Sequence, residues 1–152
     1  MAYSVLEYGI ARGYPFKSFV EINSYGGGIM AYKAVKVSKG RGGWGGPLVV
    51  KPVPGKDLIY CVTGGGIHPV AQRIADLTGG KAFDGFRSSA PEKQIACVVI
   101  DCGGTARIGV YPMKKILTID VKASSPSGPL IQFINEKNFV SGVKPEDVMV
   151  IE

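Results

Sequence analysis

The chain has 152 residues, of which 45% are hydrophobic and 20% are charged. This length fits one domain with a substantial buried core, and the composition is that of a soluble globular protein rather than a disordered chain. The net charge of +6 favours an acidic or phosphorylated partner. The basic residues are dispersed, however, with only Lys114 and Lys115 adjacent, so the sequence predicts no nucleic-acid-binding module.

The cysteine and histidine content argues against a metal centre. The chain contains Cys61, Cys97, Cys102 and a single histidine, His68. This spacing matches no zinc pattern of paired ligands, and we expect neither a metal nor another cofactor.

The sequence also bears on cellular location. Unpaired thiols fit a reducing compartment. No apolar stretch approaches the about 20 residues that cross a bilayer, and the N-terminus lacks signal-peptide features. We therefore expect a cytoplasmic protein.

The chain divides into a short first segment and a longer regular part. Residues 1–29 are rich in tyrosine, and we interpret them as an N-terminal extension of uncertain role, with an ordinary strand of the same domain as the alternative. Residues 30–152 are expected to form a single domain.

The first half of that domain combines short strands with one clear helix. The helix should begin with Pro69 at its first position and stop at Gly79, because proline suits a helix start and glycine suits a left-handed C-terminal residue. Pro52 places the strand that contains it at a sheet edge. The strands are predicted from alternating or continuous apolar residues within 32–38, 48–53 and 57–63.

The second half contains the most apolar strand. Residues 81–94 are predicted to be mostly loop, and residues 95–102 form a continuous apolar run typical of a sheet interior. Further strands are predicted within 106–112, 115–123 and 145–151, with a short helix at 130–135. The fold class is therefore α/β or α+β, a mixed sheet with one clear helix and one or two short helices.

Two glycine-rich stretches before Cys102 have open roles. Residues 40–45 satisfy the pattern G-x-G-x-x-G, but Gly46-Pro47 and a β-branched run follow instead of a helix, so a dinucleotide site is rejected. Trp44 within this stretch is either a contact residue or a local hydrophobic lid. The glycines at 64–66 precede a helix N-terminus, where they either bind an anion or only make the turn tight.

Cys102 is the candidate nucleophile because the apolar run ends there. Cys61 and Cys97 lie inside apolar strands and are interpreted as buried and inert. If the strand before Cys102 is parallel to its neighbours, the thiol lies at a carboxyl end, where ligand sites of open α/β sheets gather. Whether Cys102 is such a nucleophile or a small hydrophobe ending a strand remains open from spacing alone.

The residues after Cys102 suit a phosphoryl group. Successive glycines can turn several N–H groups inward to bind an anion, a hydroxyl adds a donor, and an arginine fork matches phosphate oxygens. We therefore expect phosphate contacts from Gly103, Gly104, Thr105 and Arg107. This site requires a sulfur that meets solvent with main-chain amides around it. Cysteine phosphatases separate cysteine and arginine by five residues, whereas only four separate them here, which weakens a hydrolytic function.

Several motifs together resemble a known family. The sequence is similar to the glucitol/sorbitol-specific enzyme IIB component of the phosphoenolpyruvate-dependent sugar phosphotransferase system. The resemblance covers residues 33–150 and leaves out residues 1–29. It is carried by KGRGGWGGPLVVKPVPGKDLIY, IADLTGGKAFDGF, VIDCGGTARIGVYP, SGPL and FVSGV.

The resemblance implies a phosphoryl relay. Enzyme IIA carries the phosphoryl group on a histidine, an enzyme IIB cysteine accepts it as S-phosphocysteine, and a sugar hydroxyl receives it during transport through the membrane enzyme IIC component. The cysteine of the D-C-G-G-T motif corresponds to Cys102. Some relatives have another cysteine at the position of Ile108, and its absence leaves Cys102 as the candidate in that segment.

The resemblance also implies partners and a place in the cell. The expected partners are enzyme IIA, enzyme IIC and a sugar alcohol such as glucitol (sorbitol). Family members often continue into a membrane-embedded portion, whereas this sequence has no spanning segment up to Glu152. Either it is a separate subunit, or the transport part is encoded elsewhere or removed, and we expect membrane attachment through a partner. The alternatives are a cysteine-dependent phosphatase using Cys102 and Arg107, and a non-enzymatic sugar- or protein-binding regulator using the Trp44 loop.

Overall fold

Residues 31–104 and 107–151 are described by a computed structural model of the chain. The predicted extension at 1–29 and the predicted phosphate ligand Thr105 lie outside the described residues. The helices are α1 (Pro69–Thr78) and α2 (Arg107–Met113). The strands are β1 (Val35–Val37), β2 (Leu48–Val50), β3 (Leu58–Val62), β4 (Lys81–Asp84), β5 (Ile95–Ile100), β6 (Thr118–Asp120), β7 (Phe139–Ser141) and β8 (Val148–Val150).

A five-stranded parallel sheet forms the centre of the domain, in the order β4-β3-β5-β6-β7. From β3 the chain passes through α1 to β4 on one side, and then returns to β5 and continues through α2 to β6 on the other side. The chain therefore leaves β3 and β5 in opposite directions. Such a switch point opens a crevice at the carboxyl ends of the two strands.

One face of this sheet is covered by α1 and a second, smaller sheet. The smaller sheet is antiparallel, in the order β2-β1-β8. Its inward residues, Val35 and Val37 among them, share a buried cluster with Ile74 of α1 and with Ile59 and Val99 of the parallel sheet. As predicted, β2 lies at an edge of the smaller sheet, but it ends at Val50, before Pro52.

The opposite face is covered by α2. Alternate residues of the same strands point to this side, and Val98, Ile100 and Phe139 form a second buried cluster with Ile108 of α2. Cys102 belongs to this second cluster. The two helices thus lie on opposite faces of the parallel sheet, so of the two predicted classes, α/β and α+β, the structure shows the first. The parallel and antiparallel strands occupy separate sheets.

The predicted helix is confirmed together with its end signals. The Nδ1 atom of His68 accepts a hydrogen bond from the amide of Val70 at 3.1 Å, and Pro69 occupies the first helical position. At the other end Gly79 has a φ of 88° and its amide donates to the Ala75 carbonyl. A left-handed residue at this position is strained for any side chain, so glycine ends the helix as predicted.

Other predictions from pattern gave mixed results. Residues 95–102 contain the interior strand β5, the C-terminal strand β8 is present, and a 3₁₀ turn at Ile131–Phe133 occupies the predicted short helix. The predicted loop at 81–94 is wrong at its start, because Lys81–Asp84 forms the edge strand β4. Its residues are exposed or half-buried, so no apolar alternation revealed it.

The predicted strand at 106–112 is wrong, because Arg107–Met113 forms helix α2. Its β-branched and aromatic residues favour a strand locally. However, β5 and β6 are parallel neighbours, and parallel neighbours need a crossover connection on one face of the sheet. The helix supplies that connection and buries Ile108 against the sheet. Across the described residues, no helix has the length and apolar character needed to span a bilayer.

Candidate functional site

Cys102 lies just beyond the carboxyl end of β5, the central parallel strand. This is the position that the sequence predicted for it. The expectation that it is open to solvent is wrong, since the residue exposes only 6% of its surface. The reason is the helix that the sequence analysis missed: Ile108 of α2 and Ile100 of β5 share the buried cluster that contains Cys102.

The two glycines after Cys102 leave their amides available. Within the described part of the chain, neither Gly103 nor Gly104 donates its amide in a hydrogen bond. Gly103 is exposed, and no heavy atom lies within 4 Å of the point where a Cβ would stand. Gly104 has a φ of +107° and its carbonyl accepts a hydrogen bond from the Ser127 hydroxyl at 2.9 Å. Free amides beside open space are what an anion-binding turn requires.

Arg107 begins helix α2 and is exposed. The candidate residues therefore bracket one short connection, with Cys102 and the glycines on the strand side and Arg107 on the helix side. Asp101 is also exposed, and its carboxylate lies 3.7 Å from the ammonium of Lys122. Both signs of charge thus surround the connection. Within the described residues, no group of three or more histidine, cysteine or acidic side chains could hold a metal ion.

Asp120 is a site residue that the sequence analysis missed. It ends β6, pairs with Ile100 of β5 and is completely buried. Its Oδ1 accepts hydrogen bonds from the amides of Cys102 at 3.2 Å and Lys122 at 2.9 Å, and its Oδ2 accepts one from the Ser124 hydroxyl at 2.7 Å. Burial raises the pKa of Asp120, although these three donors act in the opposite direction.

Ser141 extends this polar network to the glycine-rich loop at 40–46. The Ser141 hydroxyl accepts hydrogen bonds from the amides of Trp44 at 2.8 Å and Ser124 at 3.2 Å, and it donates to the Ser124 carbonyl at 2.5 Å. Asp120 is thereby connected to Trp44 through two serines. The only sequence signal was a polar residue at each of two apolar strand ends, which does not reveal that the strands are neighbours.

The glycine-rich loop itself runs along β7, the edge strand of the parallel sheet. Gly45 forms a bridge with Val140, and the Ser141 amide donates to the Trp44 carbonyl. A Cβ at Gly43 would overlap the Ser141 carbonyl oxygen. The glycines are therefore needed for close approach of two backbones. The Trp44 ring packs on Phe139, with centroids 6.2 Å apart, which favours the lid interpretation over an open contact surface.

The other two thiols are buried, as predicted. Cys97 is completely buried in β5, and burial raises its pKa to about 12. Cys61 is also completely buried, and its Sγ accepts a hydrogen bond from the His68 amide at 3.3 Å. His68 uses its ring as the cap of α1. This capping contact supports the structural interpretation of His68 over a phosphoryl role.

The fold and the site define a doubly wound α/β domain whose central strand ends at a cysteine followed by a glycine turn. Comparison with known proteins then shows the family of this chain. The family model described as "Sorbitol phosphotransferase enzyme II N-terminus" matches residues 34–152. Because this match covers most of the chain, the chain belongs to that family.

A curated relative gives a more specific similarity. The chain is 54% identical over 113 residues to a protein of Clostridium beijerinckii named "PTS system glucitol/sorbitol-specific EIIB component". The aligned part is 74% of this chain and 34% of that protein. The chain therefore spans about a third of the length of this relative. No solved structure matches the chain.

Proposed function

We propose that this chain is the enzyme IIB component of a glucitol/sorbitol phosphotransferase system and that Cys102 carries the phosphoryl group. The observation that carries the proposal is the position of Cys102 beyond the central parallel strand, followed by Gly103 and Gly104 with their unused amides. Family membership and the similarity to a glucitol/sorbitol-specific component support the substrate class.

The chemistry is an in-line transfer in two steps. The Cys102 thiolate attacks phosphorus while the bond from phosphorus to a histidine nitrogen of enzyme IIA breaks, and the leaving imidazole keeps the electron pair. A sugar hydroxyl then attacks phosphorus, the S–P bond breaks, and the thiolate leaves while the hydroxyl proton passes to solvent. Amides fixed beside the phosphoryl oxygens stabilise their charge without reorganisation.

The residues after Cys102 supply those fixed groups. Gly103 and Gly104 offer unused amides, with open space beside Gly103, and Arg107 offers a planar fork suited to phosphate oxygens. Thr105 is proposed to add its hydroxyl. Because Cys102 is only 6% exposed, attack on phosphorus requires the sulfur to become more accessible when the donor binds.

The proposal includes partners and location. Enzyme IIA is the phosphoryl donor, the membrane enzyme IIC component presents the sugar alcohol, and the domain works at the cytoplasmic side of the membrane through that partner. The positive net charge of +6 suits a donor or substrate that carries phosphate.

Phosphorylation by enzyme IIA tests the proposal. The chain is incubated with phosphorylated enzyme IIA of a glucitol system, and intact mass followed by peptide mapping locates the added phosphoryl group. Wild type and Cys97→Ala should be phosphorylated on Cys102, whereas Cys102→Ser should not. Cys97→Ala is the matched control, because it removes a thiol from the same region of the chain at a completely buried position.

Two results would contradict the proposal. A Cys102→Ser protein that is still phosphorylated by enzyme IIA would remove Cys102 from the relay. Release of phosphate from an aryl phosphate by wild type, without any carrier protein and without labelling by enzyme IIA, would favour a cysteine-dependent phosphatase instead.

A further inference from the structure

Asp120 contacts the main chain of Cys102 from a neighbouring strand. Its side chain is completely buried, and all three of its hydrogen-bond partners donate to it. Three donors and no acceptor are what an ionised carboxylate needs. A charge kept away from water at this position is costly unless its partners hold it.

A local turn explains only part of this arrangement. Acceptance from the Lys122 amide, two residues onward, is the usual turn-forming contact of an aspartate. The contact with the Cys102 amide instead joins residues 18 apart in sequence and links the ends of β5 and β6. That contact also takes the Cys102 amide away from any group bound on the sulfur.

We propose that Asp120 is a positioning residue for Cys102, whose carboxylate fixes the main chain at Cys102 and disfavours loss of the thiol proton in the resting site. The proposal rests on the proposed function only in taking Cys102 as the reacting residue. Asp120 acts through the position and protonation of that residue and does not itself contact the phosphoryl group.

The effect of the Asp120 carboxylate on the thiol proton of Cys102 follows from their short separation and from burial. The Asp120 oxygen lies 3.2 Å from the nitrogen of Cys102, and the sulfur is three bonds from that nitrogen. A like charge within about 4–6 Å disfavours the charged form of a group. Because both residues are buried, solvent screens this repulsion less than it would at the surface.

Other groups nearby act on the same thiol. Asp101 opposes ionisation of the thiol, but it is exposed and lies near Lys122. Arg107 begins α2 five residues after Cys102, and its positive charge has the sign that favours a thiolate. The phenol of Tyr60 belongs to the same buried cluster, and that of Tyr111 packs against it. Of the charged residues named here, Asp101 and Arg107 are exposed, whereas Asp120 is buried and negatively charged when ionised.

Alkylation of Cys102 as a function of pH tests the proposal on the full chain. The second-order rate with iodoacetamide is measured for wild type, Asp120→Asn, Asp120→Ala and Asp101→Asn, and peptide mapping assigns the modified cysteine. Asparagine keeps an oxygen that can accept from both amides, and the Ser124 hydroxyl can donate or accept. Asp101→Asn is the control, since it removes an adjacent but exposed carboxylate.

The expected results separate charge from anchoring. Asp120→Asn should shift the rate profile to lower pH, and each pKa unit of that shift should make alkylation below the thiol pKa about threefold faster. The limiting rate at high pH should not rise, because the nucleophilicity of a thiolate falls with its pKa. Asp120→Ala should also raise the limiting rate, because the main chain of Cys102 loses its anchor. Asp101→Asn should shift the profile much less than Asp120→Asn.

An unchanged profile for Asp120→Asn, or an equal shift for Asp101→Asn, would overturn the proposal and leave Asp120 as a turn residue. If Asp120→Ala fails to fold in a thermal melt, the two asparagine variants still decide the matter. Alkylation needs no phosphoryl donor, so a failure of phosphorylation by enzyme IIA would contradict the proposed function without affecting this test.

Discussion

Gly103→Ala separates the stability of the domain from its proposed phosphoryl-binding role. No heavy atom lies within 4 Å of the added methyl group, and the backbone at Gly103 is not in the left-handed region. We therefore expect the free energy of unfolding to change by no more than about 0.5 kcal/mol. The methyl group enters the open space beside Cys102, where the phosphoryl group is proposed to lie, so the rate of transfer from enzyme IIA should fall about 100-fold.

Gly104→Ala is the matched comparison. At Gly104 the φ is +107° and the added methyl group would lie 3.0 Å from the Ser127 hydroxyl oxygen. The left-handed backbone alone makes this substitution destabilising by about 1–3 kcal/mol. Urea denaturation measures the stability of both variants, and single-turnover labelling by phosphorylated enzyme IIA measures transfer.

Two results would refute this reasoning. A Gly103→Ala protein that is labelled as fast as wild type would show that the space beside Gly103 is not used by the phosphoryl group. A Gly103→Ala protein that loses more stability than Gly104→Ala would show that the backbone of this turn differs from the one described.

Three further predictions concern Cys97, Gly43 and Asp120. Because burial raises the pKa of Cys97 to about 12, iodoacetamide should leave Cys97 unmodified at mildly alkaline pH in the folded chain and modify it in urea; equal rates in both would contradict its burial. Gly43→Ala should destabilise the domain by about 3 kcal/mol, because the new methyl group meets the Ser141 carbonyl, while Gly65→Ala, with nothing within 4 Å, should be near neutral in the same urea titration. Burial raises the pKa of Asp120 above its usual 3.8. The folded domain is therefore less stable when Asp120 is ionised than when it is protonated, and it loses this stability as the pH rises from 3.8 through the folded pKa. The free energy of unfolding of Asp120→Asn relative to wild type should therefore increase as the pH rises from 3.8, and a difference independent of pH would be evidence against this.

Local signals predicted the parts of the fold that depend on nearby residues. The apolar run of β5 and the end signals of α1 are complete within their own segments, so both were found. Helix α2 was missed because its reason is not local: the parallel pairing of β5 with β6 requires a crossover, and that pairing is invisible in residues 107–113.

In the candidate site, too, the features set by nearby residues were predicted and those set by distant residues were not. The end of an apolar run followed by two glycines pointed to Cys102, and the structure places it at the predicted strand end. Its burial was not predicted, because it depends on Ile108 of the missed helix. Asp120 was not predicted either, since its contacts come from residues that are distant in sequence and meet only in the folded sheet.

The glycine-rich loop along β7 has a consequence for how the molecule behaves at high concentration. A bare sheet edge is a template on which a second molecule can add a strand, and this leads to aggregation. Here the loop already occupies the main-chain groups of Ser141 and bridges Val140. A bulky residue at Gly43 or Gly45 would force the two backbones apart. These glycines thus protect the protein against self-association at that edge.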